Sequence, residues 1–230
     1  MKRFWSTASV VREGDAFAVR LDARALKLPG GAALSVPFAP LAEAIAAEWE
    51  AAPENFTPDD LPLTRLVATA QERVRTHRAA IIDQLAAYGR NDLLCYRATG
   101  GAARAMEDEA WSPWTGWAEQ RFGITLAVAA GLMPVEQSPA VQAAFKRALE
   151  DMSDYKLAGL GVIVPALGSL VLGLAIAADA LAPAEACRLA ALEELTQERS
   201  WGTDAETETR RHKRAEDVAE SARFMVLCQT

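Results

Sequence analysis

The residue pattern predicts an α+β protein: a small N-terminal β-meander-plus-helix domain over residues 1–60, followed by a larger all-helical domain over 61–230. Three observations carry this. Residues 8–36 alternate apolar and polar side chains between glycine-bearing turns, the signature of short antiparallel strands. Beyond them apolar residues recur at helical spacing, alanine is abundant and β-branched residues are sparse. A run over 157–178 carries no charged residue and supplies material for a helical core.

Val10-Val11, the Glu13-Gly14-Asp15 turn and Phe17-Ala18-Val19-Arg20-Leu21 make a hairpin. A turn at 22–24 leads to Leu26-Lys27-Leu28, and Pro29-Gly30-Gly31 leads to Leu34-Ser35-Val36. About four short strands are too few to stand alone in water. The expected cover is a helix over 41–51, where Leu41, Ile45 and Trp49 share one face. A Pro/Asp/Asn loop over 53–60 is the candidate domain boundary.

Pro62 opens a helical stretch to about Tyr88, with Leu66, Ala70, Val74, Ile81, Leu85 and Tyr88 as its apolar stripe. A helix is expected over 107–122. Two readings fit its Trp111, Trp114 and Trp117: core packing on one helix side, or a ligand-stacking face. Residues 124–128 read as a lone strand or an extended connector, and 139–152 as helix.

The uncharged run is long enough to test as a membrane span. Gly159, Gly161, Pro165, Gly168 and Gly173 interrupt it, and no basic flank or aromatic belt borders it. It reads instead as two helices meeting near 164–168, the second (169–180) buried all round, with Ser169 and Gly173 allowing close helix approach. An amphipathic segment ending at Gly202 and a final helix over 204–227 complete the chain.

With 51% hydrophobic and 24% charged residues the chain is globular. A net charge of −7 argues against nucleic acid, which needs clustered Lys/Arg. The basic stretch 210–214 is offset by acidic neighbours and reads as a solvated helix face. Cys95, Cys187 and Cys228 are far apart and lack CxxC spacing, which suits a reducing compartment and buried or incidental thiols. The start Met-Lys-Arg-Phe-Trp has no apolar signal region, so a cytoplasmic protein is expected.

Catalytic signatures are missing. There is no P-loop spacing, Gly159-Leu160-Gly161 lacks a dinucleotide site's third glycine, and Ser169 stands in no GxSxG elbow. His77 and His212 sit among cationic neighbours and without metal-ligand spacing, so surface histidines, no metal and no cofactor are expected. Adjacent carboxylates such as Asp59-Asp60, Glu107-Asp108-Glu109 and Glu193-Glu194 point about 100° apart on a helix and form no dyad. No enzyme is expected. On a helix, however, Glu194, Gln197 and Trp201 fall on one face just before Gly202. A large aromatic beside an acceptor and an amide has the composition of a binding hot spot. Equally, Trp201 folds back as a helix-terminal anchor with Gly202 as its cap.

The chain resembles the assembly chaperone of the ATP synthase F1 sector that handles the α subunit, found in mitochondria and α-proteobacteria. The likeness runs through Arg3-Phe4-Trp5, Leu21-Asp22, Leu26-Lys27, Ala47-Glu48-Trp49, Pro62-Leu63-Thr64-Arg65-Leu66 and Asp92-Leu93-Leu94-Cys95-Tyr96-Arg97. It continues through Trp111-Ser112-Pro113, Trp117-Ala118-Glu119, Met133-Pro134-Val135, Gly168-Ser169-Leu170-Val171-Leu172-Gly173, Gln197 and Trp201-Gly202. The resemblance implies a two-part chaperone without catalysis. It would hold unassembled F1 α subunit and prevent its aggregation until the β subunit replaces it. It also implies a cytoplasmic place in bacteria (the matrix in eukaryotic relatives), no nucleic acid and no stable membrane insertion. Glu194 best matches the family's function-sensitive carboxylate, with Gln197, Trp201 and Gly202 beside it as partner-binding residues. Thr196 stands where the family has an aromatic, Arg199 where it has an acid, and Ala52 where it usually has a glutamine. The alternative function is a small-molecule binder or enzyme using the Trp111/Trp114/Trp117 face.

Overall fold

In the computed structural model the described residues are 1–131, 135–202 and 204–229, with side chains described throughout except at 197 and 199–201. The expected architecture is present: a small N-terminal sheet region followed by a mostly helical remainder. The chain forms two compact units. One comprises Met1–Arg78, Asp154–Gly159 and Arg223–Thr230, and the other Ala79–Ser153 and Leu160–Ala222. The 53–60 loop lies inside the first of these.

The first unit opens with strands β1 (Ala8–Glu13) and β2 (Ala16–Leu21), an antiparallel hairpin in which Val10 faces Val19. Gly14, at φ 65°, makes the turn. Short strands β3 (Arg24–Ala25) and β4 (Ser35–Val36) both pair with β2. The expected third strand at 26–28 is thus shifted. Only 24–25 form the strand, while Leu26 bonds on to Val19 and Lys27 makes a lone bridge to Ala33.

Helix α1 (Ala39–Ala51) covers the sheet with Leu41, Ile45 and Trp49, as its i, i+4 spacing requires. Trp49, Trp5 and Phe56 meet edge-to-face with centroids 4.9–5.7 Å apart. Helix α2 (Pro62–Ala68) begins with proline at N1, and its free backbone donors are capped from outside. The Glu48 carboxylate accepts the N–H of Leu63 at 2.6 Å, that of Thr64 at 3.1 Å and the Thr64 hydroxyl at 2.6 Å. The Glu48-Trp49 and Pro62–Leu66 motifs are therefore two halves of one clasp.

The long helical stretch is not uniform. Residues Thr69–Val74 form a π-helical turn before helix α3 (Arg75–Tyr88), which is kinked at His77 (φ −122°). The wider turn lets Gln71 donate to the Ser35 carbonyl (2.8 Å) and the Tyr155 hydroxyl (2.9 Å), while Glu72 accepts from the Gly30 N–H (2.8 Å). Beyond the break at His77, Ile82 is buried and the expected Ile81 is half-buried.

In the second unit, β5 (Tyr96–Arg97) and β6 (Ala129–Ala130) pair in parallel, and residues 124–128 are an extended connector. Helix α4 (Gly101–Phe122) starts six residues earlier than expected. Helices α5 (Pro139–Glu150), α6 (Asp154–Leu167) and α7 (Leu170–Ala177) follow. Every residue of α7 is buried, as an uncharged helix must be. The expected buried helix over 169–180 is shorter, however: it ends at Ala177, and Ala178, Asp179 and Ala180 are exposed. Gly168, at φ 65°, ends α6, and the Ser169 hydroxyl caps α7 by accepting from the Leu172 N–H at 3.1 Å. Gly173 admits the close approach: a Cβ there would lie 2.6 Å from a Val164 methyl. Helices α8 (Pro183–Ala190), α9 (Leu192–Trp201) and α10 (Ala205–Leu227) complete the chain. Among the described residues no helix is long and apolar enough to cross a membrane.

Candidate functional site

Helices α4, α8 and α9 surround an open groove of ≈ 510 Å³ within the second unit. Met106, Ala110, Pro113 and Trp114 of α4 form one wall; Leu189, Leu192, Leu195 and Thr196 form the other. Three charges sit among them: Glu109, Glu185 and Arg188. Arg188 grips Glu185 in a two-point pair at 2.8 and 2.6 Å, which holds the Glu185 carboxyl below its usual range and the guanidinium above its own. The lining is thus about as polar as it is apolar, a balance close to that of a protein–protein interface.

The groove is held from behind by Trp111. Its ring is fully buried, and its indole N–H donates to the Leu189 carbonyl at 2.9 Å, tying α8 to α4. The guanidinium of buried Arg97 lies 5.0 Å over that ring and donates to the Glu107 carbonyl at 3.2 Å. The three tryptophans accordingly do not share a ligand face. Trp111 is core, whereas Trp114 lines the groove 6.5 Å from Trp117, which also packs edge-on against Phe122 at 5.8 Å.

The acidic segment lies next to this groove. Glu194 is half-buried, with Oε1 3.6 Å from a terminal nitrogen of Arg214 on α10; Oε2 is enclosed and has no hydrogen-bond partner among the described residues. One turn on, Glu198 pairs with Arg211. The side chains of Gln197 and Trp201 lie outside the described residues, as does that of Arg199. Gly202 is exposed at φ 87° and ends α9. Thr196, the position where the resembled family has an aromatic, places its hydroxyl 3.4 Å from the Met106 sulfur in the groove wall.

Several expectations can be placed directly. His77 and His212 are exposed, and His212 stands 3.2 Å from Glu216. The basic stretch is matched by acids: Lys213 pairs with Asp217, Arg214 with Glu194 and Arg211 with Glu198. The adjacent carboxylates diverge, Asp59 to Arg65 and Asp60 to Thr57. Cys95 and Cys228 are buried and Cys187 is half-buried, all as free thiols. Among the described residues no cluster of three or more His, Cys, Asp or Glu is placed to hold a metal. The α4 wall of the groove was not visible in the sequence. Met106 and Leu195 are distant in the chain, and only the i, i+3 pair Leu192/Leu195 hinted at an apolar face.

Comparison with known proteins adds independent findings. The family model described as ATP12 chaperone protein matches residues 2–119. The mitochondrial protein atp12 of Schizosaccharomyces pombe is 27% identical, over 88% of this chain and 74% of that protein. The crystal structure of Atp12 from Paracoccus denitrificans superposes with a TM-score of 0.93 at 34% identity, covering 99% of this chain and 98% of that one. The Atu1473 protein of Agrobacterium tumefaciens gives a TM-score of 0.91 at 31% identity, covering 98% of this chain and 85% of its own.

Proposed function

The chain belongs to the ATP12 chaperone family, the assembly chaperones of ATP synthase, and from that premise we propose that it binds the unassembled α subunit of the F1 sector. It covers the sticky intersubunit surface of α, prevents aggregation, and yields its place when the β subunit arrives. An unpaired subunit of an obligate oligomer exposes a large apolar interface, so a holder needs apolar surface of its own with moderate affinity.

The observation that supports this reading is the α4/α8/α9 groove, an open trough that mixes apolar side chains with Glu109, Glu185 and Arg188 as a protein-binding surface does. Glu194, one of whose own carboxylate oxygens has no hydrogen-bond partner among the described residues, is assigned as a client contact together with Gln197, Trp201 and Gly202. The protein acts by binding, without catalysis and without cofactor, in the bacterial cytoplasm. Co-purification of the tagged chain from its own cells tests this. Recovery of free α without stoichiometric β is the expected result. Recovery of assembled F1, or of no F1 subunit, overturns it.

A further inference from the structure

The first unit carries a second trough, of ≈ 710 Å³, bounded by the segment 1–4 and by strand β3. Its floor is Leu21, Leu26, Trp49 and Phe56, all buried. Phe4 stands beside them 67% exposed, one of four exposed large apolar side chains among the described residues. It is not loose. Its ring meets Trp5 edge-to-face at 5.2 Å, and Trp5 in turn is fixed by an indole bond to the Trp49 carbonyl at 3.2 Å. A rigid aromatic held out in water beside an apolar trough has the make-up of a preorganised binding anchor.

The electrostatics select the occupant. The charged lining residues are Lys2, Arg24 and Lys27, all cations, in a chain of net charge −7. Lys2 is matched by Glu54 at 3.3 Å, whereas Arg24 and Lys27 have no ion pair among the described residues. The nearest acid in sequence, Asp22, feels the charge of Arg24 but makes no ion pair with it; its carboxylate takes the N–H groups of Ser6 and Thr7 at 3.0 Å each. Strand β3 ends its sheet, pairing only with β2, so an extended chain can lie along it.

We propose that this trough is a second client-contact surface, accepting an extended polypeptide segment in which a bulky apolar side chain is flanked by carboxylates. The inference rests on the client-binding reading above and adds to it a site in the other compact unit, with its own sequence preference. Apolar contact with Phe4 supplies affinity, and Arg24 and Lys27 supply register and salt-dependent attraction.

The test measures binding of purified F1 α subunit to the unsubstituted chain, to Arg24→Glu/Lys27→Glu and to Phe4→Ser, with overlapping α-subunit peptides as competitors. All three substituted side chains are exposed, so unchanged thermal unfolding is expected, and the charge-reversed pair carries the test if Phe4→Ser unfolds. The expected loss is about tenfold or more in affinity for each variant, the scale of losing one hot-spot residue. Competing peptides should carry an aromatic or aliphatic residue next to Asp or Glu. Wild-type affinity in both variants overturns the proposal, as does competition indifferent to acidic residues. Sedimentation showing a wild-type dimer that the variants break would assign the trough to a second copy and overturn it too. If the unsubstituted chain fails to bind α at all, the chaperone reading itself fails, and this inference with it.

Discussion

The Asp92 carboxylate accepts a 2.7 Å hydrogen bond from the Ser169 hydroxyl, and both residues are fully buried. The same carboxylate accepts the N–H groups of Leu94 (3.1 Å) and Val171 (3.0 Å), so one acid ties the 92–97 segment to the start of α7. Replacing Asp92 by alanine strands three buried donors at once. At about 1–3 kcal/mol per unsatisfied group, partly relaxed, the expected loss is about 3–5 kcal/mol in urea unfolding. Ser169→Ala should cost less, about 1–2 kcal/mol, because it removes one cap. A loss below about 1 kcal/mol for Asp92→Ala would refute the tie.

The same acid predicts a pH dependence. Burial pushes the Asp92 carboxyl above its usual 3.8, against the pull of its donors. The folded state then keeps this proton to higher pH than the unfolded chain does. Between the two values folding takes up a proton, so this group's contribution is greatest below 3.8 and is lost as pH rises through the raised value. The check is the stability of the natural chain minus that of Asp92→Asn, measured from about pH 4 to about pH 8. The difference should fall with rising pH; a flat one refutes the assignment.

How far the sequence carried depended on whether a feature was local. The burial of α7 was legible because eight residues without charge have no polar face to turn outward. The hairpin was legible from alternation and Gly14. The π-turn at Thr69–Val74 was not, since its cause is tertiary: Gln71 and Glu72 reach Ser35, Tyr155 and Gly30. Nor was the break at His77, beyond which Ile82 and not Ile81 is the buried residue. Ser169 was read as a small residue for helix approach; Gly173 fills that role, and Ser169 caps and clasps instead. The groove pairs α4 with α8 and α9 across some eighty residues, so periodicity marked only one wall.

Gly173 predicts a packing penalty. Alanine is the better helix former by about 1 kcal/mol, which alone would stabilise α7. Its methyl would meet Val164 Cγ2 at 2.6 Å, and a β-branched residue inside a helix has one favoured χ1, so Val164 cannot easily turn away. Overpacking costs about 1–3 kcal/mol and should outweigh propensity. Gly173→Ala is thus expected to lower the unfolding midpoint, and Val164→Ala in the same chain to relieve part of the loss. Simple additivity of the two in a double-mutant cycle would show that the contact is not the cause.

The thiols predict selective labelling. Burial pushes Cys95 and Cys228 up to about 12 each, and the charge of Asp92 adds to the effect at Cys95. Only the thiolate reacts, so both should stay unmodified by a disulfide reagent in the native protein at neutral pH. Cys187 is raised too, by burial, but is half-exposed, and should label slowly before unfolding. Mass mapping after partial labelling reads this directly. Cys95 reacting in the native chain as fast as a free thiol would contradict the buried placement.

The assigned client contact predicts the clearest separation of roles. Glu194→Lys with Trp201→Ala should keep the fold and lose α binding, since their spacing puts both on one face of α9. Glu194 also pairs with Arg214 at 3.6 Å, so the lysine meets a like charge. For a half-exposed pair the cost is modest, about 1 kcal/mol or less. The charge swap Glu194→Lys/Arg214→Glu distinguishes the two duties. It restores an ion pair between α9 and α10 while leaving a cation at the proposed client contact. If Glu194 serves the client, the swap should recover stability and still fail to bind α. If binding returns with stability, Glu194 acts only by holding Arg214, and the contact must be sought elsewhere along the groove.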